Sequence, residues 1–353
     1  MWQPRHFLKF RFFVGTKLLL AVRVVFRLLP SRLGLALAAA VGRQTRHFCA
    51  REVKIAIAQY RYVMGSAAAG SNAPPTADER EFVARVFAHV GESIGEVLTL
   101  DRIIAAELPH DPALPPWRRS LKFIRSEGQE VVDDLIRRKQ SSITLSGHIG
   151  CFELLAAYHV AQGVPVTVAA RDANYPWFDH FLDGLRSGYG VETVWRNDPN
   201  GARVLMRALK QGRVAAVLID QDTSLDNTFS PFFGLDAAHP SAPIRLALRF
   251  RTPLFTSFIY RESRGYHRIV TEPLDYDPDD PDAPAKILKI YNQRLERQVK
   301  AHPEQWIWWH RRWRRRPGVD YAQFPDELPS TSRYLAWLKD QHRSSLDTTT
   351  ANG

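Results

Sequence analysis

Ser142-Ile-Thr-Leu-Ser-Gly-His148-Ile-Gly-Cys-Phe-Glu153-Leu-Leu-Ala-Ala-Tyr-His-Val160 is the stretch whose reading decides the fold. Its first four residues have the length and composition of a buried strand. Residues 154–160 offer an apolar helix face, so the whole reads as strand, turn and helix. His148 lies at the mouth of that turn, where a rigid scaffold can aim a side chain into a cleft. Glu153 follows five positions later, and a carboxylate one turn on fixes an imidazole's tautomer and raises its basicity. A base so equipped removes a proton from a hydroxyl and lets the oxygen attack an acyl carbon.

The same alternation continues outward. Strands are expected at 121–124, 143–145, 164–169, 191–194, 214–219, 254–260 and 267–271. Helices are expected at 129–139, 151–162, 177–187, 201–211, 242–250 and 285–300. This pattern predicts an α/β fold with a largely parallel sheet flanked by helices, whose reactive groups collect at the carboxyl ends of strands. His148, Arg171 and Asp220 each follow an expected strand, so one crevice would hold all three. Before the sheet the chain reads as helical, and residues 77–106 carry apolar side chains at helical spacing. The chain divides into 1–46, basic amphipathic membrane-associating helices; 47–116, a helical part and linker; 117–320, the α/β core; and 321–353, an extension whose polar end from Ser344 reads as a disordered tail.

Charge is distributed unevenly. The 353 residues carry a formal charge of +11, and residues 1–51 hold ten Lys and Arg but no Asp or Glu, interleaved with Phe, Leu and Val. The longest uncharged run there, 33–42, is too short to span a bilayer. Helices lying in a membrane interface fit this composition, and the alternative is a helix packed on the core with its arginines solvated. Two cysteines, Cys49 and Cys151, make no disulfide framework and suit a reducing compartment. No Cys/His spacing suggests zinc and no Gly-rich loop suggests phosphate, so neither a metal nor another cofactor is expected.

Three further segments stand beside the first: Arg171-Asp-Ala-Asn174-Tyr-Pro176; Asp220-Gln221-Asp222 followed by Pro231-Phe232-Phe233-Gly234; and Pro303-Glu-Gln-Trp-Ile-Trp-Trp-His-Arg311-Arg312-Trp313. In order and spacing, over about 118–318, the four resemble the bacterial lipid A late acyltransferases of the lysophospholipid acyltransferase superfamily. The resemblance implies that His148 is the base of an O-acyltransferase, with Glu153 as its partner. The implied donor is a fatty acyl chain on acyl carrier protein, and the implied acceptor is a hydroxyl of a lipid A precursor. Another lipid acceptor, such as a lysophospholipid, glycolipid or ornithine-type lipid, is the alternative. Location at the cytoplasmic face of a bacterial inner membrane follows, though relatives often carry a more continuous N-terminal apolar helix.

Several residues take provisional roles from this reading. Arg171 and Asn174 would grip a phosphate, or Arg171 would pair with Asp172 or Asp220. Asp220, Gln221 and Asp222 would shape the cleft. Phe232 and Phe233 would line an acyl channel, or form a plain core turn. Trp306, Trp308, Trp309 and Trp313, with Arg311 and Arg312, would meet anionic headgroups at the interface. That segment also suits a nucleic-acid binder, a rival that leaves the His–Glu pair unexplained. Cys151, where the family commonly has Asn, is either a covalent nucleophile or a small residue in a helical turn. His159, His180 and His239 are read as structural or surface residues.

Overall fold

The computed structural model describes residues 5–65, 73–107, 123–171, 176–195, 201–223, 226–319 and 330–350. Among the described residues five helices come first: α1 (Arg5–Leu28), α2 (Ser31–Thr45), α3 (Ala50–Val63), α4 (Ala77–Leu98) and α5 (Leu100–Glu107). Strands and helices then alternate as β1 (Ile124–Glu127), α6 (Gln129–Arg138), β2 (Ser142–Ser146), α7 (Phe152–Ala161), β3 (Val166–Ala170), α8 (Pro176–Gly188), β4 (Glu192–Trp195), α9 (Gly201–Lys210) and β5 (Val214–Leu218). A hairpin, β6 (Asn227–Phe232) and β7 (Leu235–Pro240), precedes α10 (Ala242–Phe250), β8 (Leu254–Ser263), β9 (Tyr266–Leu274), α11 (Ala283–Ala301) and α12 (Thr331–Thr350).

Among the described residues seven strands form one sheet in the order β1-β9-β8-β2-β5-β3-β4. Five of them, β8 to β4 in that order, run parallel to one another, and β9 meets β8 antiparallel. β2 is central, and four of its five residues are buried, because helices cover both faces. The expected strands and helices of the α/β part are present within a few residues. The hairpin was not anticipated. Its two-residue turn, Phe233-Gly234, has both residues at positive φ, as a type I′ connection demands.

The main core joins the sheet to helices on both ends of the chain. Ile55, Phe82 and Val86 from α3 and α4, and Tyr334 and Leu338 from α12, pack in the same cluster as Leu145, Trp306, Trp308 and Trp313. The segments separated by sequence at 47–116, 117–320 and 321–353 therefore share one interior. α12 is helical to Thr350, through residues whose polarity had suggested disorder. The tryptophan segment also departs from expectation. Trp306, Trp308 and Trp313 are fully buried, and so is Arg312, so these side chains meet no headgroup. Their bulk outweighs the amphipathic preference of indole, since each ring finds an apolar contact and each N–H an internal acceptor.

α2 and α4 cross at glycines. A Cβ on Gly42 would stand 2.4 Å from the Phe87 carbonyl oxygen, and one on Gly91 would stand 2.3 Å from that of Ala38. α4 begins with a capping box: the Thr76 hydroxyl accepts the Glu79 amide, and Glu79 accepts that of Thr76. α1 lays Leu19, Val22 and Phe26 against Phe181, Leu185 and Leu98. Arg23 and Arg27 of this helix reach Asp101 of α5 at 3.8 and 3.0 Å. Outward it leaves Leu18, Val24, Val25 and Leu28 exposed, while α2 exposes Leu33, Leu37 and Val41. No helix among the described residues is long and apolar enough to cross a membrane.

Candidate active site

Strand register builds the site. β2 and β5 are parallel neighbours, with Ser146 opposite Leu218, and the Ile219 amide continues the ladder to the Ser146 carbonyl. Two residues further along each chain stand His148 and Asp220. They meet: Nδ1 of His148 lies 2.7 Å from Oδ1 of Asp220, and the His148 backbone amide donates to Oδ2 at 2.8 Å. Trp306 Nε1 donates to the same Oδ2 at 2.9 Å. Burial works to raise the Asp220 carboxyl, but the His148 and Trp306 donors overcome it and hold the group well below the usual carboxylate range. An ionised Asp220 fixes the proton of a neutral His148 ring on Nδ1. Nε2 is then the basic atom, and the side chain is 22% exposed.

Glu153 is not that partner. It sits in the first turn of α7, where Arg186 of α8 grips it with two hydrogen bonds of 2.9 and 2.5 Å. The expected His148–Glu153 pairing is therefore replaced by His148–Asp220. The turn between His148 and α7 carries the carboxylate towards α8, whereas the parallel register brings Asp220 alongside. The expected Arg171–Asp220 pair is likewise absent among the described residues. Arg171 is exposed just beyond β3, and Asn174 lies outside the described residues.

The loop that carries His148 is tightly held. Gly150 has φ +63°, and a Cβ there would lie 2.0 Å from the Ile259 carbonyl oxygen. Its amide donates to the Gln305 carbonyl at 3.0 Å, and the Ile307 amide donates to that of His148. The Gln305 side chain in turn bonds both backbone groups of Arg261, each at 2.7 Å. Arg261 is buried and reaches Glu96 with two bonds, His89 at 2.6 Å and the Ser93 hydroxyl at 3.1 Å. Cys151, the residue before α7, is buried behind this network, and burial pushes its thiol well above the ordinary range. The covalent role gains no support from such a thiol, and the residue fills the first turn of α7.

The 220–222 turn is anchored on its other side too. Asp222 is buried and accepts the Arg315 amide at 2.9 Å and its guanidinium at 3.0 Å. Its own amide donates to Nε2 of His310 at 2.9 Å. Arg312, expected on a headgroup, instead donates to the Ala238 carbonyl at 2.6 Å and to the His239 ring. His239 passes a proton bond to the carbonyl of Ile219, next to Asp220. Phe232 is packed beside Trp306 and Trp313, so it lies in the core and lines no open channel. Phe233, Arg311 and Gln221 are half-buried.

The chain matches the family described as bacterial lipid A biosynthesis acyltransferase over residues 3–315. It is 26% identical over 207 residues to the lipid A biosynthesis lauroyltransferase of Escherichia coli K12, covering 57% of this chain and 65% of that protein. It is 24% identical over 181 residues to a phosphatidylinositol mannoside acyltransferase of Mycobacterium tuberculosis, covering 51% of this chain and 56% of that one. The chain thus spans less than two thirds of the first relative's length and little more than half of the second's. A solved 1-acyl-sn-glycerophosphate acyltransferase of Thermotoga maritima aligns with 74% of this chain and 98% of its own, at 14% identity and a TM-score of 0.34. From its sequence match over residues 3–315, the chain belongs to the bacterial lipid A biosynthesis acyltransferase family.

Proposed function

We propose that this chain moves a fatty acyl group from an acyl carrier protein thioester to a hydroxyl of a lipid A precursor, with His148 as general base. The observation that carries the reading is the double hold of Asp220 on His148, through ring and backbone. Nε2 of His148 takes the acceptor's hydroxyl proton as the oxygen bonds to the acyl carbon. Asp220 stabilises the imidazolium, and the proton then passes to the departing thiolate as the carbon–sulfur bond breaks. The step leaves an uncharged thiol and an uncharged ester, and His148 returns to its starting state. No covalent acyl-enzyme is required.

The apolar rows on α1 and α2, set among basic residues, would lie in the headgroup region of an anionic membrane, at the cytoplasmic face of the inner membrane. The charge of +11 would speed the approach of an acidic carrier protein. Likeness to a relative named for phosphatidylinositol mannoside supports a second reading, in which the acceptor is a glycolipid. Purified protein in detergent, given lauroyl-loaded acyl carrier protein, should add one lauroyl mass to a phosphorylated diglucosamine lipid A precursor. Transfer only to a mannosylated phosphatidylinositol would establish the second reading, and transfer to neither would remove both.

A further inference from the structure

His310 is the second imidazole on the turn that holds His148. Asp220 binds His148 through its carboxylate, and Asp222, two residues on, offers its backbone amide to Nε2 of His310. An amide N–H can only donate, so Nε2 of His310 is an acceptor and the ring proton of the neutral form is on Nδ1. Burial holds the ring well below the usual histidine value, at about 3. Arg312 and His148 add to the shift, while Asp220 opposes it. The ring is thus neutral at any working pH. It is half-buried, and no protein acceptor among the described residues bonds its Nδ1.

The backbone beneath the ring is fixed as firmly. Gln59, fully buried in α3, donates to the carbonyls of Trp308 and His310, the latter at 2.9 Å. The Gln59 oxygen accepts the Arg312 amide at 3.0 Å and the Tyr334 hydroxyl of α12 at 2.7 Å. A neutral donor held on two sides, beside a base, is what stabilises charge developing on a carbonyl oxygen.

Resting on the proposed acyl transfer, we infer that Nδ1–H of His310 is a catalytic hydrogen-bond donor to the acyl carbonyl oxygen. As the acceptor oxygen bonds to the acyl carbon, the carbonyl π pair moves to oxygen, and the resulting oxyanion receives this bond. When the carbon–sulfur bond breaks the pair returns, and His310 neither gains nor loses a proton. The charge of the intermediate is shared between this donor and the imidazolium of His148.

Two near-isosteric variants separate this role from a scaffolding one. In His310→Asn the side-chain amide stands where Nδ1 stands, which keeps a donor and loses the acceptor for Asp222. In His310→Gln the amide reaches the place of Nε2, which keeps the Asp222 bond and loses the donor. Each is assayed as the full chain in detergent with lauroyl-loaded acyl carrier protein and the lipid A precursor, beside wild type and His148→Ala. His310→Gln should lose about 10²- to 10³-fold in kcat with KM little changed, the usual effect of removing one oxyanion donor. His310→Asn should retain at least tenfold more kcat than His310→Gln. His310→Gln equal to or better than His310→Asn, or a loss confined to acceptor KM, overturns the inference. If only His310→Gln folds, its kcat decides alone, with near-wild-type turnover contradicting the role. A wild-type chain that transfers nothing defeats the acyl-transfer reading itself. Transfer lost in His148→Ala but unaltered in His310→Gln defeats only the role of His310.

Discussion

At the scale of single residues, four histidines packed wholly or partly into the interior set how the protein meets acid. Burial lowers His89 and His310 to about 3 and His159 to about 4, and burial with the Arg312 charge holds His239 far below its ordinary value. An unfolded chain binds these protons near pH 6.5. Above that pH neither state is protonated and stability is full. Below it the unfolded chain takes up protons that the folded one refuses, so stability falls until the folded groups titrate, at most by about 1.4 kcal/mol per pH unit for each. Asp220, depressed in the fold, adds a further loss below about pH 4. The urea midpoint should therefore drop clearly between pH 7.5 and pH 5. An unchanged midpoint would show that these side chains are hydrated or protonated in the native state.

At the scale of elements, periodicity carried most of the reading. The apolar run 142–145 and the strand–helix alternation gave the sheet, because parallel strands buried on both faces show in composition alone. Two elements escaped it. The β6–β7 hairpin contains Pro231 and Pro240, poor strand residues, and its signal was the Phe233-Gly234 turn rather than alternation. The partner of His148 escaped for a different reason. Glu153 is near in sequence, while Asp220 is near only through register, which spacing does not encode. The Trp306–Trp313 run misled because indoles suit a core and an interface alike, and only the fold distinguishes them. Gln59, Gln305, Arg186 and His310 carry no local signal, since each acts on a segment remote in the chain. For α2 the structure sharpens the expectation into a row, Leu33, Leu37 and Val41, spaced four apart and facing out. Replacing all three by Ser should weaken binding to anionic liposomes by tenfold or more, since each apolar side chain contributes roughly 1 kcal/mol on entering the interface. Their exposure should leave the melting temperature within a few degrees. Unchanged liposome partition would show that this row has no part in membrane binding.

For the whole molecule, helices from both ends of the chain support one turn at the carboxyl end of β5. α3 and α12 hold the segment of His310 through Gln59 and Tyr334, and α4 holds the loop of His148 through Arg261 and Gln305. A long frame of this kind holds His148, Asp220 and His310 in fixed relation, as the proposed transfer between two substrates would need. In the proposed transfer His148 works through Asp220 and not through the nearer-spaced Glu153. It is tested most directly by the rate of lauroyl transfer at saturating substrates in Asp220→Asn and Glu153→Gln, with folding of each checked by thermal melting. Asp220→Asn should cost about 10³-fold or more, as loss of an orienting carboxylate does in other histidine-based sites. Glu153→Gln should cost much less in rate and more in stability, because it removes the charge that Arg186 grips with two hydrogen bonds. The reverse order, a severe loss for Glu153→Gln and near-normal turnover for Asp220→Asn in folded proteins, would contradict the account.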